Sequence, residues 1–149
     1  MICHKKNFSY ELHPKACIKS ILRKDKSNFE TFFGYYDKSP WSYDSKYYLI
    51  HMYERKYKDK VKIAIYDFES DKLKIIDETP AFNFQQGAML RWLNQKSYNV
   101  IYNTVKNVNL IAKIKNVISK REIKTIPMPI QTVNYKGSEA LTLNYKRLD

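Results

Sequence analysis

The chain has 149 residues, 44% of them apolar and 15% aromatic, which is one domain's worth of sequence with enough apolar surface for a packed core. Its net charge of +12 invites a nucleic-acid reading, but Lys outnumbers Arg about four to one and is spread along strand-like segments, as at Lys58, Lys60, Lys62, Lys72 and Lys74. Alternation puts such lysines on solvated strand faces, so no specific nucleic-acid partner is expected. No apolar run approaches the roughly eighteen residues of a membrane span, and the segment from Met1 to Phe8 lacks the apolar stretch of a secretory signal, so a cytoplasmic location is expected.

Residues 1–30 read as an N-terminal extension. Pro14 suits the first turn of a short helix over residues 14–24, with Ile18, Ile21 and Leu22 on one face. Cys3, His4, His13 and Cys17 are soft-metal ligand types close in sequence, yet their spacing matches no common zinc pattern. Two free thiols and no metal or cofactor are the expectation, and a disulfide framework is not indicated.

From residue 31 onward the sequence is strand-like. Strands are expected at Tyr47 to Glu54, Val61 to Phe68 and Lys72 to Asp77, with residues 69–72 turning the last hairpin. A second group follows at Met89 to Leu93, Tyr98 to Asn103, Leu110 to Ile118 and Glu122 to Ile126, and a last strand at Ala140 to Tyr145. Thirteen Tyr, seven Phe and many Ile and Val favour this all-β reading.

One pattern recurs without a gap: Trp41 to His51, Trp92 to Tyr102 and Val133 to Leu143 each give an apolar anchor, a polar turn and a strand. A unit of roughly 40 to 50 residues with four short strands marks a β-propeller blade. The expected fold is therefore a partial β-propeller: blade one over residues 32–79, blade two over 80–127 and an incomplete third over 128–149. Such a ring needs about four blades or more to close, so the chain reads as a fragment whose open edge promotes self-association.

The anchors repeat, but the segments approaching them do not. Phe32 to Trp41, Asn83 to Trp92 and Thr125 to Val133 share little beyond the anchor. In a propeller these are the loops opening onto one end of the channel, so Tyr35, Tyr36, Asp37 and Lys38 from one loop and Asn83, Gln85 and Gln86 from the next are the candidate ligand-binding residues. Amides and a carboxylate suit sugar hydroxyls, aromatic faces suit pyranose C–H surfaces, and Lys38 suits a uronate or phosphate. The competing account is structural: Asp37 capping backbone N–H groups, Lys38 solvated, and Gln85 and Gln86 serving carbonyls of a neighbouring blade. Trp41 and Trp92, being repeated, are assigned to core packing, and His51 to a strand-packing or channel-facing position.

The strings FFGYYDKSPW and FNFQQGAMLRW, each followed by its strand, resemble the N-terminal part of a TolB-like six- or seven-bladed propeller family of unassigned activity, more distantly similar to oligogalacturonate lyase. The resemblance covers residues 29–148 and implies a protein more than about twice this length. In the related lyases the His and Gln metal ligands come from later blades, so none transfers to this chain; Gln85 and Gln86 resemble polar channel residues of the family. The implied role is a carbohydrate-interacting scaffold. The alternatives are part of a lyase or hydrolase acting on acidic oligosaccharides, with Asp37 and Tyr35 or Tyr36 as acid and base and Lys38 stabilising an enolate-like charge, or a protein-interaction module. Catalytic residues are not assignable from the sequence, and three glycines cannot build a phosphate-binding loop.

Overall fold

The computed structural model describes residues 2–5, 8–11, 28–93 and 97–144, and these residues form strands, turns and loops with no helix. The helix expected over residues 14–24 lies outside the described residues. Strands β1 (Ile2–Lys5) and β2 (Phe8–Glu11) instead form an antiparallel hairpin that was not foreseen. No helix of the described residues is long and apolar enough to cross a membrane.

Strands β3 (Phe29–Phe32), β4 (Tyr47–Glu54), β5 (Val61–Asp67) and β6 (Lys72–Thr79) form a four-stranded antiparallel sheet in chain order. Strands β7 (Arg91–Trp92), β8 (Asn99–Lys106), β9 (Asn109–Asn116) and β10 (Glu122–Ile126) form a second one with the same order. A third sheet holds two strands, β11 (Thr132–Val133) and β12 (Ala140–Leu141). The expected Met89–Leu93 strand contracts to Arg91–Trp92 because Met89 has φ 55°, which breaks the pleat. The ladder of β12 stops at Leu141, opposite Thr132, where its partner begins, so it is shorter than the expected run to Tyr145; Tyr145 itself lies outside the described residues.

The repeat survives in three dimensions, with each anchor paired to the strand that follows it. Trp41 bridges Tyr48, Trp92 pairs with Val100, and Val133 pairs with Ala140. Ser42 and Asn134 each close the following turn with one backbone bond to Tyr47 and Glu139 and a second from Ser45 and Gly137. The last two share a left-handed backbone, φ 59° and 70°. The second copy spends one more residue between anchor and strand, which shifts its pairing by one position relative to the ungapped alignment.

Hairpin turns repeat too. The Asp67 carboxylate accepts from the Glu69 and Ser70 N–H groups before Asp71 at φ 54°, and Asn116 Oδ1 accepts from Ile118 and Ser119 before Lys120 at φ 58°. Lys74 closes on Asp67 at 2.5 Å and holds that carboxyl down at about 2.

Both four-stranded sheets are apolar on two faces. Leu49, Ile63 and Ile65 of the first pack with Ala88, Leu90, Val100 and Tyr102 of the second unit. On the far side of the second sheet, Ile101 and Ala112 pack with Ile130 and Val133. Ile50, Met52, Ala64 and Tyr66 bury the remaining face of the first sheet. Trp92 is half-buried and its indole N–H donates to the Pro40 carbonyl at 2.9 Å. Trp41 departs from the expected core role: it is 44% exposed and lies stacked on Phe68, at 5.1 Å, on the outside of the first sheet.

Polar contacts tie the units as well. Asp77 of β6 accepts from Tyr102 of β8 and from Lys115 of β9, the latter at 2.8 Å. Burial opposes its charge, but the two donors outweigh that and lower its pKa. Tyr98 donates to Asp44 at 2.6 Å, and the carboxylate it faces raises the Tyr98 pKa.

Candidate functional site

The loop of residues 33–38 follows β3, and the loop of residues 82–88 precedes β7. They meet where Gly34 turns with φ 129°: a Cβ built there would stand 2.8 Å from the Gln86 carbonyl oxygen and 3.4 Å from the Gly87 nitrogen. Only a residue without a side chain permits that approach. The two segments singled out in sequence are thus in direct backbone contact.

Their seven candidate residues do different things. Asn83 is taken up by its own turn, its side-chain oxygen accepting from the Gln86 N–H at 2.6 Å while its backbone exchanges both bonds with Gly87. Lys38, expected to be solvated or ligand-facing, is buried at 8% exposure and ion-paired with the half-exposed Asp37 at 2.8 Å. Asp37 therefore serves the buried ammonium and not backbone N–H groups, because an unpaired charge at that depth is costly. Tyr35 and Tyr36 lie ring to ring at 4.2 Å, with Tyr36 86% exposed. Tyr36, then burial, then the Asp37 charge raise the Tyr35 pKa. The side chains of Gln85 and Gln86 make no hydrogen bond among the described residues, which sets aside the expected service to a neighbouring carbonyl. No hydrogen bond joins residues 35–38 to residues 83–86 among the described residues.

Two contributors were not among the seven candidate residues, although His51 was read in sequence as strand-packing or channel-facing. One is an aromatic cluster: Phe84, 58% exposed, packs on Phe32 at 5.3 Å, Tyr53 at 4.9 Å and Phe82 at 5.7 Å. The alternation of Phe82 and Phe84 was its visible signal. The other is His51, fully buried beneath the second loop and stacked on Phe32 at 4.9 Å. Its Nε2 accepts from the Ala88 N–H at 3.1 Å, so the neutral ring carries its proton on Nδ1. Gly87 lies directly over the ring; a Cβ there would sit 2.9 Å from Nε2.

Burial pushes His51 down to about 4, and the nearby Phe33 and Phe32 backbone groups only partly oppose this. Nδ1 makes no well-aligned hydrogen bond among the described residues. His51 is thus a neutral, buried support for the loop, with no path to an exposed ligand. No group of three or more His, Cys, Asp or Glu able to hold a metal occurs among the described residues. Of the soft-ligand types weighed in sequence, Cys3 and His4 lie in β1, and His13 and Cys17 fall outside the described residues.

The junction leaves Tyr36, Phe84 and Gln85 exposed and Gln86 half-buried, with the two loops in backbone contact at Gly34 and Gln86. The chain matches no protein-family model, no curated protein and no solved structure.

Proposed function

We propose that the two four-stranded sheets and the β11–β12 pair are blades of a partial β-propeller whose 33–38 and 82–88 loops form a carbohydrate-binding rim. The reading is carried by the Gly34–Gln86 backbone contact, which brings exposed rings and unengaged amides from two successive units together. Rings for pyranose faces and amides for hydroxyls are the groups such ligands require. Antiparallel meanders of four strands, apolar on both faces and packed in succession, support the blade reading. The engagement of Asp37 by Lys38 weighs against its use as a catalytic base, so binding is favoured over the lyase or hydrolase alternative.

Titration of the isotopically labelled chain with a galacturonate oligosaccharide, followed by amide and side-chain NMR, tests this. Shifts are expected at Gly34, Tyr36, Phe84, Gln85 and Gln86. Shifts confined to other surfaces, or none up to ligand saturation of the solution, would overturn it.

A further inference from the structure

We infer that His51 is a proton-operated latch for the 82–88 loop: a proton taken up at Nε2 breaks the ring's hold on Ala88 and lets the loop swing away from β4 while both four-stranded sheets stay folded. The hold is one hydrogen bond, in which Nε2 accepts from the Ala88 N–H at 3.1 Å. A protonated Nε2 would set one N–H against another, so the bond cannot survive the change. The ring is also packed in place. Phe32 stacks on it at 4.9 Å, and the Gly87 backbone approaches so closely that a Cβ there would stand 2.4 Å from Cε1.

No ion pair among the described residues offers the imidazolium a partner. Residues 82–88 contain no ionisable side chain. On the elements around the ring the charged groups are engaged with one another: Glu30 of β3 with Arg55, Asp37 with Lys38 in the first loop, Lys62 of β5 with Glu54 of β4, and Asp77 of β6 with Lys115 of β9. Tyr53, two residues along β4, packs edge-on against Phe84. Burial therefore opposes the charged ring, and only the Phe33 and Phe32 backbone groups favour it.

The loop is built to move as one piece. Asn83 exchanges both backbone bonds with Gly87 and takes the Gln86 N–H on its side-chain oxygen at 2.6 Å, so the turn closes on itself. Its flanks are fixed: Thr79 is buried and donates to the Asn103 carbonyl at 2.8 Å, and Leu90 is buried in the core shared by the two sheets. Between these flanks two bonds tie Ala88, the one to His51 and one from the Asn103 N–H to the Ala88 carbonyl at 2.7 Å.

The equivalent crossing into the third unit has no such release. Asn103 stands there where His51 stands here, accepting from the Ile130 N–H at 2.8 Å and donating to the Ile130 carbonyl at 2.9 Å, and a carboxamide does not titrate. Of the two crossings, the one beneath Phe84, Gln85 and Gln86 is the one that acid can open. The latch stands apart from the carbohydrate reading, because it is read on backbone amides without ligand.

The test is amide hydrogen exchange of the isotopically labelled full chain, without ligand, between pH 7 and pH 4.5. A solvated imidazole takes its proton near 6.5 and the latched ring resists until about 4, so opening should become about fiftyfold more frequent over that range. Ala88 and Asn103, whose N–H groups make the two bonds, should lose protection by that factor and exchange faster than Leu49 and Ile65 throughout. His51→Asn, which installs the side chain the repeat already uses, should remove the dependence on pH. In the parent chain alone the fall must follow a single proton, about tenfold per pH unit between about pH 6 and 4.5, which keeps the test decisive even if the variant does not fold. Exchange of Ala88 and Asn103 only as fast as Leu49 and Ile65 would mean that the loop leaves only when the whole chain unfolds. That result, a flat or steeper profile, or a pH dependence that persists in His51→Asn would overturn the proposal.

Discussion

His51 and Asn103 occupy the same position in successive units, and each reaches from its strand to the backbone that enters the next one. His51 accepts from the Ala88 N–H at 3.1 Å; Asn103 donates to the Ile130 carbonyl at 2.9 Å and accepts from the Ile130 N–H at 2.8 Å. The Ala88 carbonyl in turn accepts from the Asn103 N–H at 2.7 Å, so the two clamps are linked through one residue. Buried backbone groups need partners, and these side chains supply them where the chain crosses between sheets. The histidine does the work less completely than the asparagine, since its Nδ1 makes no well-aligned hydrogen bond among the described residues.

His51→Asn is therefore expected to fold, because the repeat already uses Asn at this position. It should also remove an acid sensitivity. Unfolded, the imidazole takes a proton below about 6.5; folded, it resists until about 4. Between those values the unfolded state binds more protons, so stability falls as pH drops from 6.5 to 4 and His51 contributes no further slope below that. The loss is on the order of 3 kcal/mol. Urea denaturation at pH 7 and pH 4.5 checks this: the difference between the two pH values should be smaller in His51→Asn than in the parent chain. An unchanged difference would remove His51 from the account.

Gly34→Ala and Gly87→Ala should each destabilise by about 2 kcal/mol or more, because both need a left-handed backbone and both meet neighbours at once. At Gly34 the obstacle is the Gln86 carbonyl, at 2.8 Å; at Gly87 it is the His51 ring, with Nδ1 at 3.0 Å. The Gly34 variant should separate the two loops and shift the amide resonances of Gln86 and Gly87 more than those of the core strands. A melt indistinguishable from the parent would show that the loop contact is slack.

Much of this fold was legible because strand periodicity does not depend on neighbours. Val61, Ile63 and Ile65 alternate in sequence and lie on one face, and Glu122–Ile126 was read with the boundaries it has. The extra residue after Trp92 was not legible, since an ungapped alignment hides a slip by one. That slip is also why His51 and Asn103 were not recognised as partners: in the ungapped alignment His51 falls opposite Tyr102. The site was legible as two loops that differ between units. It was not legible that Lys38 turns inward and Asn83 closes its own turn, because burial and turn geometry are set by the fold around them and not by residue type.

The β8–β9 hairpin offers a stabilising change. Its two turn residues, Asn107 and Val108, have φ 49° and 61°, the arrangement of a two-residue turn that favours Asn followed by Gly. Val108 is β-branched, 95% exposed and without packing to lose. Val108→Gly should raise stability by about 1 kcal/mol, relief of left-handed strain exceeding the extra chain entropy of glycine. Thermal unfolding followed by circular dichroism would check it, and a lowered melting temperature would contradict the strain argument.

The rim and its support should separate under substitution. Tyr36→Ala and Gln85→Ala remove exposed groups, so they should leave the melting temperature nearly unchanged while weakening oligosaccharide binding by about 1 kcal/mol each. Asp37→Ala should do the reverse. It strands the buried Lys38 ammonium, which at 4% side-chain exposure is ion-paired with Asp37 at 2.8 Å, and a loss of about 2 kcal/mol of stability follows from leaving such a charge unpaired. Asp37→Ala combined with Lys38→Met should recover most of that loss, because the charge and its partner leave together. Calorimetric melts of the single and double variants, set beside NMR titrations of the same proteins, decide the assignment. If Asp37→Ala melts like the parent yet loses binding, the carboxylate contacts the ligand directly and the division between rim and support is drawn in the wrong place.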